Sequence, residues 1–244
     1  MNILPRIKII NKALWMPHER VLIISDLHIG YENYLNRQGI LIPRRQFDLL
    51  KEEIEGLMME VRPKIIVING DLKHEFKGIN SQEWNDTIKI VELLSKNCEK
   101  IIIVKGNHDN MLSPIIRKIG KRKIKILKEY IIKDICILHG DKLNREIENN
   151  IMKVKTIVIG HEHPAISLKE GAKSETFKCF LRGKWKNKNL IVMPSFLPIV
   201  EGSDIRKEKK LSPFLKNIGN FEVFIVSDKT YEFGKLGRLK LLNV

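Results

Sequence analysis

The chain is poor in cysteine: Cys98, Cys136 and Cys179 are far apart and odd in number. That excludes a disulfide framework and a zinc site of the Cys type, and leaves three reduced packing residues. No stretch approaches the roughly 18 uninterrupted apolar residues of a membrane-spanning helix, and the N-terminal run 1–10 is broken by Pro5, Arg6 and Lys8. A cytoplasmic protein with no membrane partner is expected. Internal repeats and low-complexity tracts are lacking too. Acidic residues are in short supply, 29 Asp and Glu against 44 Lys and Arg, for a formal net charge of +15. Such an excess suits a polyanionic partner, either nucleic acid or a phosphorylated substrate. It is mostly lysine, spread along the whole chain beside abundant Ile and Glu, so a compositional bias of the kind seen at high temperature accounts for it nearly as well. The denser clusters at 118–128 and 206–210 carry no interleaved aromatic residues for base stacking and read as solvated faces.

The length of 244 residues suits one α/β domain, or a domain with a small subdomain, and a single catalytic domain over 1–244 is expected. Ile/Val-rich runs at 21–25, 65–69, 101–105, 135–138 and 156–159 read as buried strands of a largely parallel sheet. An extended segment at 3–10, pairing with 13–16, precedes them. Helices are expected at 43–61, 82–95, 114–119 and 145–152, with Pro43 and Pro114 in first turns, where a missing N–H costs nothing. From about residue 175, short or alternating runs at 176–182, 190–193 and 221–226 suggest antiparallel strands of a second sheet. The fold class is therefore α/β, a two-sheet β-sandwich flanked by helices. The charged stretch 203–217, with Pro213, reads as a small insertion or lid.

Six of the seven histidines, all but His18, lie just past these strands, each with Asp, Asn or Gly beside it. Ligands of open α/β sheets bind beyond the carboxyl ends of the strands, so five loops rich in metal-ligand residue types should converge there. Asp26 and His28 are separated by one residue; in extended chain both side chains lie on one side and can grip one cation. After Gly70, Asp71 offers a carboxylate able to bridge two ions, although Gly-Asp also marks ordinary turns. Gly106-Asn107-His108-Asp109 supplies an amide oxygen, an imidazole and a second carboxylate within one turn; a plain Asx turn is the alternative. His139 closes an apolar strand, where a lone histidine is ordinarily a hydrogen-bonded core residue. His161 and His163 in Gly160-His161-Glu162-His163-Pro164 have a common metal-clip spacing. Each signal is modest, but coincidence would have to place all five at one sheet edge. The segment 193–198, Met-Pro-Ser-Phe-Leu-Pro, either borders a substrate pocket or simply ends a strand.

The ordered set Asp-x-His, Gly-Asp, Gly-Asn-His-Asp, a lone His and Gly-His-x-His, spanning Asp26 to His163, resembles the calcineurin-like metallophosphoesterase superfamily. Within it, Asp71-Leu72-Lys73-His74 puts a histidine three residues after the carboxylate, as in the SbcD-type nuclease branch and its small archaeal SbcD-related phosphoesterases. The resemblance implies a four-layer α/β/β/α fold and two divalent cations, with Mn²⁺ expected and Fe, Zn, Co or Ni also compatible. It implies that Asp26, His28, Asp71 and His163 hold one ion and Asp71, Asn107, His139 and His161 the other; spacing alone would assign His161 and His163 to the same ion. The two cations would share a water, lower its pKa and stabilise the attacking and leaving oxygens on phosphorus. His108 would be the general acid, His74 a phosphate contact or second proton donor, and Asp109 the group that orients His108. A phosphodiesterase with nuclease activity as one form is the leading expectation. A phosphatase or phosphodiesterase of small nucleotides is the alternative, and a protein-binding scaffold, as in retromer-type relatives, a third reading. SbcD-type nucleases are longer, with a DNA-binding cap and an element that docks an ATPase; here both are expected to be reduced or missing.

Overall fold

The computed structural model describes residues 1–76, 80–120, 123–171 and 173–239. Its strands form two sheets. The first joins β1 (Asn2–Leu4), β2 (Ile7–Ile10), β3 (Ala13–Met16), β4 (Val21–Ile24), β5 (Ile65–Asn69), β6 (Lys100–Val104) and β7 (Ile124–Leu127) in that order. It is antiparallel from β1 to β4 and parallel from β4 to β7. The second sheet holds β8 (Glu129–Ile132), β9 (Ile135–Leu138), β10 (Thr156–Ile159), β11 (Pro164–Glu170), β12 (Lys173–Trp185), β13 (Lys188–Val192), β14 (Ser203–Asp204), β15 (Glu222–Val226) and β16 (Thr230–Lys235). Here β9, β10 and β13 run parallel, and β12, β15 and β16 antiparallel to their neighbours.

The continuous apolar runs arise because each such strand is covered on both faces. Leu22, Ile24, Ile66, Ile68, Ile101 and Ile103 face helices α2 (Gln46–Val61), α3 (Ser81–Lys96) and α4 (Leu112–Ile119). The alternate residues Ile23, Val67 and Ile102 meet Ile137, Val158, Ile191 and Phe224 of the other sheet. Beyond that sheet, Leu138, Ile157 and Ile159 pack against α5 (Arg145–Ile151) and the buried Phe214 and Leu215. The result is the four-layer α/β/β/α sandwich expected for the metallophosphoesterase fold. Among the described residues no helix is long and apolar enough to cross a membrane. All three cysteines are buried and unpaired, and burial pushes the Cys98 thiol up to about 11.

Several expectations need correction. The five ligand-bearing strands do not share one sheet: β9 and β10 belong to the second, which therefore begins near residue 129 rather than 175. Parallel and antiparallel strands buried on both faces have the same apolar texture, so pattern alone cannot divide them. Helix α2 starts at Gln46, three residues after Pro43, because Gln46 and Arg45 turn their N–H groups onto the buried Glu32 carboxylate. Glu32 sits on α1 (Tyr31–Arg37), a helix too short to register in a periodicity window. Arg206 of the 206–210 cluster is not solvated; its side chain is 5% exposed and grips Asp204 at 2.9 Å. Part of the 118–128 cluster lies outside the described residues. Short α6 (Leu236–Leu239) closes the described chain.

Candidate active site

The parallel strands of both sheets deliver their C-terminal loops to one rim. Asp26 and His28 follow β4, Asp71 and His74 follow β5, Asn107 and His108 follow β6, His139 follows β9, and His161 and His163 follow β10. Their side chains gather into groups whose donor atoms lie within 4.8 Å of one another. One group is Asp26, His28 and His163. His28 and His163 face each other Nε2 to Nε2 at 3.2 Å, with Asp26 Oδ1 3.4 Å from His163 Nε2. The other group is Asp71, His139 and His161. His139 Nε2 lies 3.3 Å from Asp71 Oδ2, 3.1 Å from His161 Nδ1 and 2.8 Å from Asn107 Oδ1. Asp71 Oδ2 is also 3.7 Å from His28 Nε2, so this carboxylate stands between the two groups.

Sequence spacing predicts extended backbone at Asp26–x–His28 and His161–x–His163. The backbone is instead left-handed at all four, with φ of 55°, 45°, 66° and 47°, and at Asp71 with φ 44°. Each such residue costs about 1–3 kcal/mol and persists only where its surroundings enforce it. The enforcing contacts are present. The N–H of Asp26 donates to Gly70 O at 3.2 Å, that of His28 to Asp71 O at 2.9 Å, and that of His161 to the Asp26 carboxylate at 3.1 Å. The twist turns His161 and His163 into different groups, which a rule for extended chain cannot anticipate. Glycines let the loops close on one another. At Gly70, φ 82°, an added Cβ would lie 2.0 Å from His139 Nδ1, and at Gly160 one would lie 2.4 Å from Asp26 Oδ2.

Burial alone would raise the Asp26 carboxyl, but His163, His139 and His28 hold it well below the usual carboxylate range. Asp71 is lowered likewise, its desolvation outweighed by the hydrogen bond and charge of His139. Burial opposes the His139 imidazolium, yet the Asp71 hydrogen bond and the charges of Asp26 and Asp71 push it up to about 9. Burial, and then the neighbouring imidazoles, lower His28 and His161. Two buried anions therefore face one imidazolium and several neutral ring nitrogens. His139 Nδ1 is buried without a hydrogen-bond partner. Converging imidazole and carboxylate donors with surplus negative charge fit divalent cations.

A third group, His28, His74 and His108, was not anticipated as a unit. It uses the other face of His28, whose Nδ1 is 3.4 Å from His74 Nδ1. Burial, followed by the His108 charge, lowers His74 to about 4. The His108 ring rests its Nδ1 on the His74 carbonyl oxygen, with Nε2 3.8 Å from Asp71 Oδ2. Asp109 does not touch that ring. Its carboxylate accepts the N–H groups of Leu72 (3.1 Å), Lys73 (3.4 Å) and Gly106 (3.0 Å), so it ties the two loops together. Burial and the nearby Asp71 raise Asp109 to about 6.

Other contributors carried no motif. Glu83 follows Asn80 in a capping-box pattern, and Asn80 Oδ1 accepts the Glu83 N–H at 2.8 Å. The Glu83 carboxylate, however, leaves the helix to take the N–H groups of His74 and Glu75, both at 2.8 Å. The loop 193–198 backs the Asp26 loop from inside: Ser195 Oγ donates to Asp26 O at 2.8 Å and the Phe196 N–H to Ser25 O at 2.7 Å. Within 203–217, Ser203–Asp204 pairs with β11, and the Leu211 and Ser212 N–H groups bind the Glu162 carboxylate at 2.9 and 2.8 Å. His18 is exposed, away from these groups.

Residues 19–132 match the sequence family described as calcineurin-like phosphoesterase. No curated protein matches the chain. Among solved structures, nuclease MPE of Pseudomonas putida aligns at 16% identity over 91% of this chain and 92% of its own, with a TM-score of 0.58. A zinc-complexed Vps29 from Entamoeba histolytica aligns at 16% identity over 88% and 98%, TM-score 0.38. The phosphoesterase Yfce from E. coli aligns at 11% identity over 85% and 88%, TM-score 0.35. The match over residues 19–132, together with this fold and these clustered ligand types, supports a metal-dependent phosphoester hydrolase.

Proposed function

We propose that the protein hydrolyses phosphodiesters at a dinuclear metal centre, as an SbcD-related phosphoesterase with nuclease activity. The observation that carries this reading is the meeting of two ligand groups at Asp71. Asp26, His28, Asp71 and His163 would hold one ion, and Asp71, Asn107, His139 and His161 the other. When bound, two divalent ions lower the pKa of water and polarise phosphoryl oxygens. Mn²⁺ is our choice of working ion, since mixed imidazole and carboxylate donors accept it readily.

The remaining work falls to this chain's own side chains. His108 Nδ1–H donates to the His74 carbonyl, which fixes the ring and leaves Nε2 to carry a proton to the departing alkoxide. Burial lowers this imidazole, so its acid form builds up only beside an anionic phosphate. His74 stays neutral. With His28 Nδ1–H donating to its Nδ1, its Nε2–H is the hydrogen bond available to a phosphate oxygen. Asp109 and Glu83 are positioning residues that act through backbone N–H groups.

The ligand groups favour an enzyme over a protein-binding scaffold on the same fold. His108→Gln is expected to retain metal, by elemental analysis, while losing about 10²-fold or more on alkyl diesters and much less on nitrophenyl diesters. Equal losses on both would remove His108 from the acid role. Turnover of nitrophenyl phosphate but not of its bis-nitrophenyl diester would replace the diesterase with a phosphatase.

A further inference from the structure

We propose that the cavity beside Asn107 and His139 is a groove for the continuing strand of a single-stranded nucleic acid. This deepens the phosphodiesterase reading and rests on it. The cavity measures about 620 Å³, within the range of ligand clefts, and opens directly from two of the candidate metal ligands. A lone phosphate would leave most of it empty. Its walls carry Lys105, Lys128 and Lys142 together with the amide of Asn110, the donor set that follows a phosphate backbone. Asp141 is the acidic group of the lining and lies 3.7 Å from Lys142. Lys128 pairs with Glu146 at 3.0 Å, both side chains being largely exposed, a contact that phosphate oxygens can replace. Lys105 is exposed and has no carboxylate partner among the described residues.

On the other side of the centre the wall is aromatic. The Phe76 ring, 48% exposed, lies 3.6 Å centroid to centroid from the His108 ring, and Tyr31 and Tyr34 flank His74 at 4.7 and 4.8 Å. Base stacking suits such a surface. A scissile phosphate at the metal centre would thus have a base against Phe76 on the His108 side and further phosphates over the lysines on the Asn107 side. A polyphosphate would use only the lysines. A mononucleotide would use only the aromatic wall. The basic stretches of the sequence lack aromatic residues because the stacking surface comes from other loops.

The test uses the full chain with Mn²⁺, DNA and RNA oligonucleotides of 2 to 12 residues, and fluorescence anisotropy beside turnover. Wild-type affinity should rise with strand length. The triple variant K105A/K128A/K142A should lose at least tenfold more kcat/KM on the 12-mer than on bis-nitrophenyl phosphate. It should also flatten the dependence of log Kd on log salt by about 2, at roughly 0.7 per lost phosphate contact. A triple variant of equal charge at the opposite ends of the strands, K64A/K153A/K155A, should keep the wild-type salt slope. F76A should weaken binding of the base-bearing strand more than that of one with an abasic residue at the reacting position. Equal loss in both triple variants, or affinity independent of length, overturns the groove. Failure of the wild type on every diester while these binding results hold would overturn the phosphodiesterase reading instead.

Discussion

At the scale of single residues, the centre is built from strained backbone and close approach. Five of the seven candidate metal ligands have positive φ, and Gly70 and Gly160 stand where any side chain would occupy a ligand's place. Gly160 is the sharper test, because its φ is ordinary and an added methyl meets Ser25 Oγ at 2.1 Å and Asp26 Oδ2 at 2.4 Å, with the Asn69 carbonyl oxygen next at 3.2 Å. Gly160→Ala should therefore fold, displace the Asp26 carboxylate and weaken Mn²⁺ binding about 10–100-fold, the range for loss of a ligand's support. Calorimetric titration that finds wild-type affinity would show that the Asp26 loop yields without cost. The residue types of the centre were legible in the sequence, since aspartate and histidine beside glycine after an apolar run limit what a loop can do. Their partners were not: Ser25 donates its hydroxyl to the Asp26 carboxylate at 2.6 Å, Ser195 and Glu83 bind backbone atoms of the ligand loops, and no pattern marks any of these contacts.

At the scale of elements, the loop 193–198 is held by two half-buried cations. Lys178 donates to the carbonyl oxygens of Ser195 (2.8 Å) and Leu197, and Lys12 to that of Phe196 at 3.3 Å. Lys12 has the Glu53 carboxylate at 2.5 Å, whereas Lys178 binds only carbonyls, and burial, aided by the charge of Lys12, pulls it down to about 7. Above pH 7 the folded protein releases this proton while the unfolded chain keeps it up to about 10.5. The unfolded state then binds more protons, so this group's contribution to stability rises with pH between those values and is flat below. Denaturant titrations of wild type and Lys178→Met should diverge by about 1–3 kcal/mol in favour of wild type from pH 7 to 10, a shift discounted for partial solvent screening. Parallel curves would mean that Lys178 stays charged. The strap 203–217 belongs to the same scale: its charge run reads as a small insertion or lid, and within it Ile205, Phe214 and Leu215 are buried against the second sheet while Ser212 Oγ donates to Gly140 O at 2.7 Å.

At the scale of the whole molecule, the ligand groups span the sandwich. Asp26, His28 and Asp71 come from the first sheet and His139, His161 and His163 from the second, so a bound cation fastens one sheet to the other. Metal that binds the folded form only should add about 2.7 kcal/mol at a concentration one hundred times its Kd. Chelation should lower the thermal midpoint correspondingly, and a midpoint unmoved by Mn²⁺ would contradict a centre shared by the sheets. The apolar runs at 21–25, 65–69, 101–105, 135–138 and 156–159 by themselves determined that there are five buried strands, each ending in a loop of potential ligands, because burial on both faces and the chemistry of His and Asp are local properties. Tertiary structure alone decided which sheet each strand joins, how the left-handed turns send His161 and His163 to different groups, and which lysines and aromatic rings flank the centre. Those outcomes depend on contacts between segments distant in the chain, and apolar pattern carries no record of partner or register.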